Sequence, residues 1–154
     1  MTTTTLSPAS SQPAALQALP ADKRVFSLPL EYGPLAPTTA RHAARPVLES
    51  WGLGEEHVYD VLLVISELVT NAIVHALPPV VLHLQAVADS GGRVKVHVSD
   101  GGPQPATAAA SWAAERPGDE HGRGGNIVNT LADSVGTDCD TDGLIDHWAT
   151  IGAT

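Results

Sequence analysis

Glu67, Asn71 and His75 stand four residues apart in the run Ile65-Ser66-Glu67-Leu68-Val69-Thr70-Asn71-Ala72-Ile73-Val74-His75-Ala76. The apolar residues around them recur at helical spacing, and residues i and i+4 share a helix face. The three polar side chains therefore form one stripe. A carboxylate and an amide oxygen one turn apart suit a water and a divalent cation held beside a phosphate, because a hard cation such as Mg²⁺ takes oxygen ligands. On its own such a stripe is more often a solvated helix face. Its chemistry depends on what the rest of the chain brings to it.

Two glycine-rich segments lie downstream. Gly122-Arg123-Gly124-Gly125 immediately precedes a short apolar helix pattern, Asn126 to Ala132, with Ile127, Val128 and Leu131 as its buried positions. Glycines before a helix leave backbone N–H groups free, and with the helix dipole they form an anion site to which Arg123 adds charge. Asp100-Gly101-Gly102 follows a strand pattern, which puts a carboxylate at a sheet edge where glycines permit close approach of a ligand. Each segment alone reads as a turn or a loop. The conjunction, in this order and spacing, is what raises the odds of a functional site.

The elements that must position these residues follow from periodicity. Arg24 to Pro29 alternates and carries a proline, which suits an edge strand. Pro37-Thr38-Thr39 opens a helix through Ala40, Ala43, Ala44, Val47, Leu48 and Trp51, with Thr38 or Thr39 as cap and Gly52 as stop. Pro46 falls inside it, so the helix is expected to kink there or to begin later. A second helix runs from about Gly54 to Ala76, ahead of Pro78-Pro79. Val80 to Ala88 and Arg93 to Ser99 form a hairpin in which Val94, Val96 and Val98 alternate with Lys95, His97 and Ser99. Ser134 to Thr137 and Ile145 to Ile151 form a closing pair about the turn Asp140-Thr141-Asp142-Gly143. Helices followed by consecutive strands, one strand face apolar and one polar, predict an α+β two-layer sandwich. Its sheet is mixed but mostly antiparallel, with helices on one face.

The 154 residues suit one domain, read here as 23–154 behind a flexible tail, 1–22, rich in Thr, Ser, Pro and Ala. A formal charge of −9 argues against direct contact with nucleic acid or anionic lipid and suits a partner with a basic or mixed surface. The single Cys139 cannot form an internal disulfide. No signal peptide is evident, no stretch approaches the ~20 apolar residues of a membrane helix, and a cytoplasmic protein is expected. The remaining histidines, His42, His57, His83, His97, His121 and His147, show no metal-ligand spacing.

The conjunction resembles the GHKL (Bergerat-fold) ATP-binding domain, and specifically the small anti-sigma-factor serine kinases of the SpoIIAB/RsbW type. Ser66 to His75 is similar to their N-box, Val98-Ser99-Asp100-Gly101-Gly102 to the first glycine box and His121-Gly122-Arg123-Gly124 to the second. The resemblance covers roughly Arg24 to Ile151. It implies ATP and Mg²⁺ as cofactors, with Asn71 as the Mg²⁺ ligand and Glu67 as general base. It further implies that Asp100 accepts from the adenine amino group, that Gly102 lets the backbone approach the nucleotide, and that Gly122, Arg123 and Gly124 close over the phosphates at the end of a lid, 104–121. The implied partners are a sigma factor and a STAS-domain anti-sigma antagonist, with a homodimer as the implied assembly.

Three positions depart from the family pattern. Gln104 holds the place of the first box's second glycine, and Gly125 replaces a large aliphatic residue in the second. Alignment on Trp148 puts Ile145-Asp146 where the family's last strand often has Lys-Thr. An Asp beside Asp100 is electrostatically awkward unless one is protonated or points away. Two functions stay open on these residues: a serine/threonine protein kinase acting on an anti-sigma antagonist, and a non-catalytic module whose protein-binding surface is gated by nucleotide.

Overall fold

The computed structural model describes residues 24–87, 91–105 and 127–153. The elements in chain order are β1 (Val25–Leu30), α1 (Ala36–Ser50), α2 (Glu55–His75), β2 (Val80–Ala86), β3 (Val94–Asp100), β4 (Ser134–Cys139) and β5 (Ile145–Ile151). One further helical turn, 127–131, precedes β4. The strands form one sheet in the order β1-β2-β3-β5-β4, and every neighbouring pair is antiparallel. The α+β sandwich expected from periodicity is the observed architecture, with antiparallel pairing throughout where a mixed sheet was allowed.

Period-two alternation decides which sheet face the helices cover. Val80, Leu82 and Leu84 of β2 and Val94, Val96 and Val98 of β3 are buried, while the residues between them are partly exposed except Ser99. Each fully buried valine or leucine contributes roughly 1.5–3 kcal/mol. α2 lies across this face with Val58, Val61, Val64, Ile65, Val69 and Ile73 buried. α1 buries Ala36, Ala40, Ala44 and Leu48, so its inner stripe is mostly small and lets it pack closely on α2 and β1.

β1 lies at one edge of the sheet, where Pro29 pairs with Val81, in keeping with the sequence reading. α1 departs from it. The helix begins at Ala36, earlier than a Thr38 or Thr39 cap allows; its N-cap is Leu35, with no capping side chain, and Pro37 sits in the first turn. A proline there costs nothing, because that N–H has no helical partner. Nor does Pro46 delay the helix, which runs unbroken to Ser50. Its buried stripe on both sides of Pro46 outweighs the missing hydrogen bond. Gly52 follows at φ 82, as a helix stop requires.

α2 also corrects the membrane reading. Its 21 residues reach a hydropathy of 1.5 in their best window, so by length and composition the segment passes for a span. Half of that window is buried inside the fold, where Val58, Val61, Leu62, Val64, Ile65 and Val69 form core against the sheet.

Candidate functional site

The C-terminal half of α2 does not lie flush on the sheet. Between them is a cavity of about 450 Å³, lined by Leu68, Asn71, Ala72, His75 and Ala76 of the helix side. Asp100 and Pro103 at the end of β3, and Ile145 and His147 of β5, line the other side. Apolar walls with a few convergent polar groups are what a small-molecule site requires.

The inner end is organised by Asp100. The residue is 2% exposed, and a buried carboxylate must be hydrogen-bonded. Its Oδ1 accepts from the Gly102 N–H at 2.8 Å, and its Oδ2 lies 3.2 Å from His147 Nε2. Thr137 Oγ1 of β4 stands 3.3 Å from the other ring nitrogen, Nδ1. His147 thus bridges the buried acid to the neighbouring strand.

The glycines divide their work in an unexpected way. Gly102 takes φ 98, a conformation suited to glycine, with open space around it. Gly101 makes the close approach, since a Cβ there would fall on the Pro78 carbonyl oxygen. The segment then runs antiparallel to the end of α2. Gly101 N–H donates to Leu77 O at 2.7 Å, Leu77 N–H to Gly102 O at 2.8 Å and Gln104 N–H to His75 O at 2.9 Å. Gln104, a departure in sequence, is integrated here: its Nε2 donates to Tyr32 Oη at 2.8 Å and to Ala76 O at 3.0 Å.

Asn71 and His75 border the cavity from α2, both exposed, so two members of the stripe face the same space as Asp100. Glu67 lies one turn earlier, half-buried, and among the described residues it does not line the cavity. Arg41 Nη1 of α1 donates to the adjoining Ser66 Oγ at 2.9 Å. Gly122, Arg123, Gly124 and Gly125 lie outside the described residues, as does most of the 104–121 lid.

The clash expected between Asp146 and Asp100 does not occur. β3 and β5 pair with Asp100 opposite Ile145 and Ser99 opposite Asp146, so the two aspartates stand on opposite faces of the sheet. Asp146 Oδ2 bonds His97 Nδ1 at 2.7 Å, and its Oδ1 accepts from Ser99 Oγ at 3.3 Å. The residues of β5 that reach the cavity are Ile145 and His147. Sequence reading passed over His147 as one scattered histidine among several. Its signal was alternation: Ala149 and Ile151 are core residues, and His147 and Ile145 share their parity.

Two of three comparisons with known proteins return matches. A family model described as the histidine kinase-like ATPase domain matches residues 34–145. Among solved structures, the RsbU and RsbW domains of Rv1364c from Mycobacterium tuberculosis superpose with a TM-score of 0.60 at 21% identity. That match covers 84% of this chain and 32% of the other, so it speaks for the fold and spans about a third of the solved chain. No curated protein matches.

Proposed function

Because the chain belongs to the histidine kinase-like ATPase domain family, we propose that it binds Mg-ATP between α2 and the sheet and acts as an anti-sigma-factor-type serine/threonine protein kinase. The observation that carries this reading is the buried Asp100 carboxylate at the inner end of a cavity of about 450 Å³ with Asn71 on its border. The residues present fit the base end of a nucleotide. Asp100 accepts from an exocyclic amino group, the Gly102 N–H orients it, and Leu68, Ala72 and Ile145 supply apolar walls for a flat ring.

At the outer end Asn71 offers an amide oxygen to Mg²⁺, while Gly122, Arg123 and Gly124 are assigned to the phosphates. The metal ion, when bound, neutralises charge on the phosphates during transfer. Glu67 is the general base, its carboxylate taking the proton of an attacking serine or threonine hydroxyl. The protein substrate is a STAS-domain antagonist and the alternative partner a sigma factor, in a cytoplasmic setting. The acidic charge of −9 suits a partner with basic patches.

One observation favours a second reading. Glu67 stands off the described cavity lining, as it would in a nucleotide-gated binding module without efficient transfer. Calorimetric titration with Mg-ATP comes first, with Asn71→Ala as control. Saturable binding that the variant weakens supports the site, and its absence overturns both readings. Transfer of labelled phosphate from ATP to a candidate antagonist, lost in Glu67→Ala, then separates the kinase from the module.

A further inference from the structure

His83 of β2 and His97 of β3 are direct partners in the β2–β3 register, and both stand on the sheet face that the helices leave uncovered. Their rings are perpendicular, with centroids 6.3 Å apart. With Ser27, Ser99, Asp140 and Asp146 they line a second cavity, of about 350 Å³. Spacing along the chain hides this pair, because only strand pairing brings it together.

Hydrogen bonds decide how the two rings are turned. His83 Nδ1 meets Ser27 Oγ of β1 at 2.8 Å, and His97 Nδ1 meets Asp146 Oδ2 of β5 at 2.7 Å. In the strand order β1-β2-β3-β5 these partners lie on opposite outer sides of the pair. Both Nδ1 edges therefore point outward, and the edges carrying Nε2 turn inward over the β2–β3 seam. Among the described residues neither Nε2 has a hydrogen-bond partner. An ionised carboxylate only accepts, so His97 carries its proton on Nδ1, and the neutral ring then offers a lone pair at Nε2. A hydroxyl can accept as well, so Ser27 suits the same tautomer of His83. The orienting carboxylate is itself held: Ser99 Oγ donates to Asp146 Oδ1 at 3.3 Å, and the His97 and Asp146 side chains are each 19% exposed.

A carboxylate behind one imidazole nitrogen and a lone pair on the other is the arrangement that orients a metal-ligating histidine. We infer that His83 and His97 bind one Zn²⁺ through their Nε2 atoms on the open face of the sheet, with Ser27 and Asp146 orienting the rings. Zn–N bonds of about 2.0–2.1 Å set two rings on one ion with centroids roughly 5–6 Å apart. From 6.3 Å a small turn of either ring completes the approach, and perpendicular planes keep the rings clear of each other. No third His, Cys, Asp or Glu joins them among the described residues, so water fills the remaining positions. Imidazole nitrogen suits Zn²⁺, whereas Mg²⁺ takes oxygen ligands. The site lies across the sheet from the nucleotide cavity and does not rest on the ATP-binding reading.

The test titrates Zn²⁺ calorimetrically into the full chain, stripped with EDTA and dialysed, at pH 7.5 with excess Mg²⁺ and no nucleotide. One equivalent should bind. His83→Asn and His97→Asn should each weaken binding at least about tenfold, since each removes one of the two protein ligands. Asp146→Asn leaves both ligands in place and should still weaken binding about tenfold, the usual cost of losing an outer carboxylate. His42→Asn, on the exposed side of α1, is the control and should stay within about twofold of the wild type. Wild-type affinity in either ligand variant would place the zinc elsewhere and overturn the inference, as would a wild type that binds none. A second measurement needs no variant: imidazole nitrogen NMR of the wild type. One equivalent of Zn²⁺ should shift Nε2 of both His83 and His97 and leave their Nδ1 atoms protonated. Zinc-dependent shifts confined to other histidines would sink the site.

Discussion

The side-chain amide of Gln104 donates to the phenol oxygen of Tyr32 at 2.8 Å, across 72 residues of chain. Tyr32 follows β1, and its hydroxyl in turn donates to the carbonyls of Ile73 and Ala76 at the end of α2. Gln104 Nε2 also reaches Ala76 O, and its backbone N–H reaches His75 O. The last carbonyls of a helix lack helical partners and need others. Two side chains from distant segments supply them, so the end of α2 that borders the cavity is clamped between the β1–α1 connection and the segment after Asp100.

Gln104→Ala removes two side-chain donors from that clamp and should cost about 1–2 kcal/mol of unfolding free energy, at roughly 1 kcal/mol per net hydrogen bond. Tyr32→Phe should cost about 1 kcal/mol by the same reasoning. Because the two side chains share a bond, the double variant should lose less than the sum. Urea denaturation of the four proteins measures this. Strict additivity would mean that the Gln104–Tyr32 contact carries no energy in solution.

This clamp shows which parts of the molecule could be read from the chain. The alternation of Val94, Val96 and Val98 and the helical recurrence from Val58 to Ile73 mark local geometry, and both elements appear as expected. The site residues on them, Asn71 and Asp100, could be named because each occupies a locally recognisable position. What escaped depends on pairing between distant segments. His147 reaches Asp100 only because β3 and β5 pair with Asp100 opposite Ile145, and a slip of one residue would have delivered Asp146 instead. Gln104 looked like a defect in a glycine box because its partners, Tyr32 and Ala76, are nowhere near it in sequence. Pro46 was judged on local cost alone, while the packing of Ala40, Ala44 and Leu48 decided the outcome.

Gly101→Ala should disturb the site more than Gly102→Ala, although Gly102 has the unusual backbone. A Cβ at Gly101 meets main-chain atoms of Leu77 and Pro78, which cannot rotate away. The turn holding Asp100 must shift, at a cost of roughly 1–3 kcal/mol. At Gly102 the space is open, and the cost is backbone strain at φ 98, also on the order of 1–3 kcal/mol, with Asp100 left in place. Gly33→Ala, with nothing within 4 Å, is the control and should stay within about 0.5 kcal/mol of the wild type. Thermal unfolding and Mg-ATP titration of the three variants check the ranking, and loss of nucleotide binding greater in Gly102→Ala than in Gly101→Ala would contradict it.

Gly136 of β4 pairs with Trp148 of β5, and the indole lies over it where a Cβ would otherwise stand. Trp148 Nε1 donates to Asp138 Oδ2 at 3.1 Å, and Lys95 Nζ sits 4.7 Å from the ring centroid, so the indole is held from two further sides. Gly136→Ala should therefore destabilise by roughly 1–3 kcal/mol, the usual range for overpacking. Combining it with Trp148→Val should recover part of that loss by vacating the space, which a double-mutant cycle in urea will measure. No recovery would show that the cost arises from strand backbone and not from the indole.

His83 makes stability depend on pH with a definite sign. It lies on the sheet face away from the helices, bonded to Ser27 Oγ at 2.8 Å and edge-on to His97 with centroids 6.3 Å apart. Burial pushes its imidazole below the ordinary value; the Asp146 carboxylate opposes that shift and His97 adds to it. As pH falls through the ordinary imidazole value near ~6.5, the unfolded chain takes a proton at this residue that the folded chain refuses. Stability from this group is therefore complete above that value and is lost as pH falls through the lower folded value. His83→Asn cannot titrate, so its urea midpoint should fall less steeply than the wild type's between pH 7.5 and pH 5.5. Parallel midpoints across that window would show that the folded and unfolded chains protonate His83 alike.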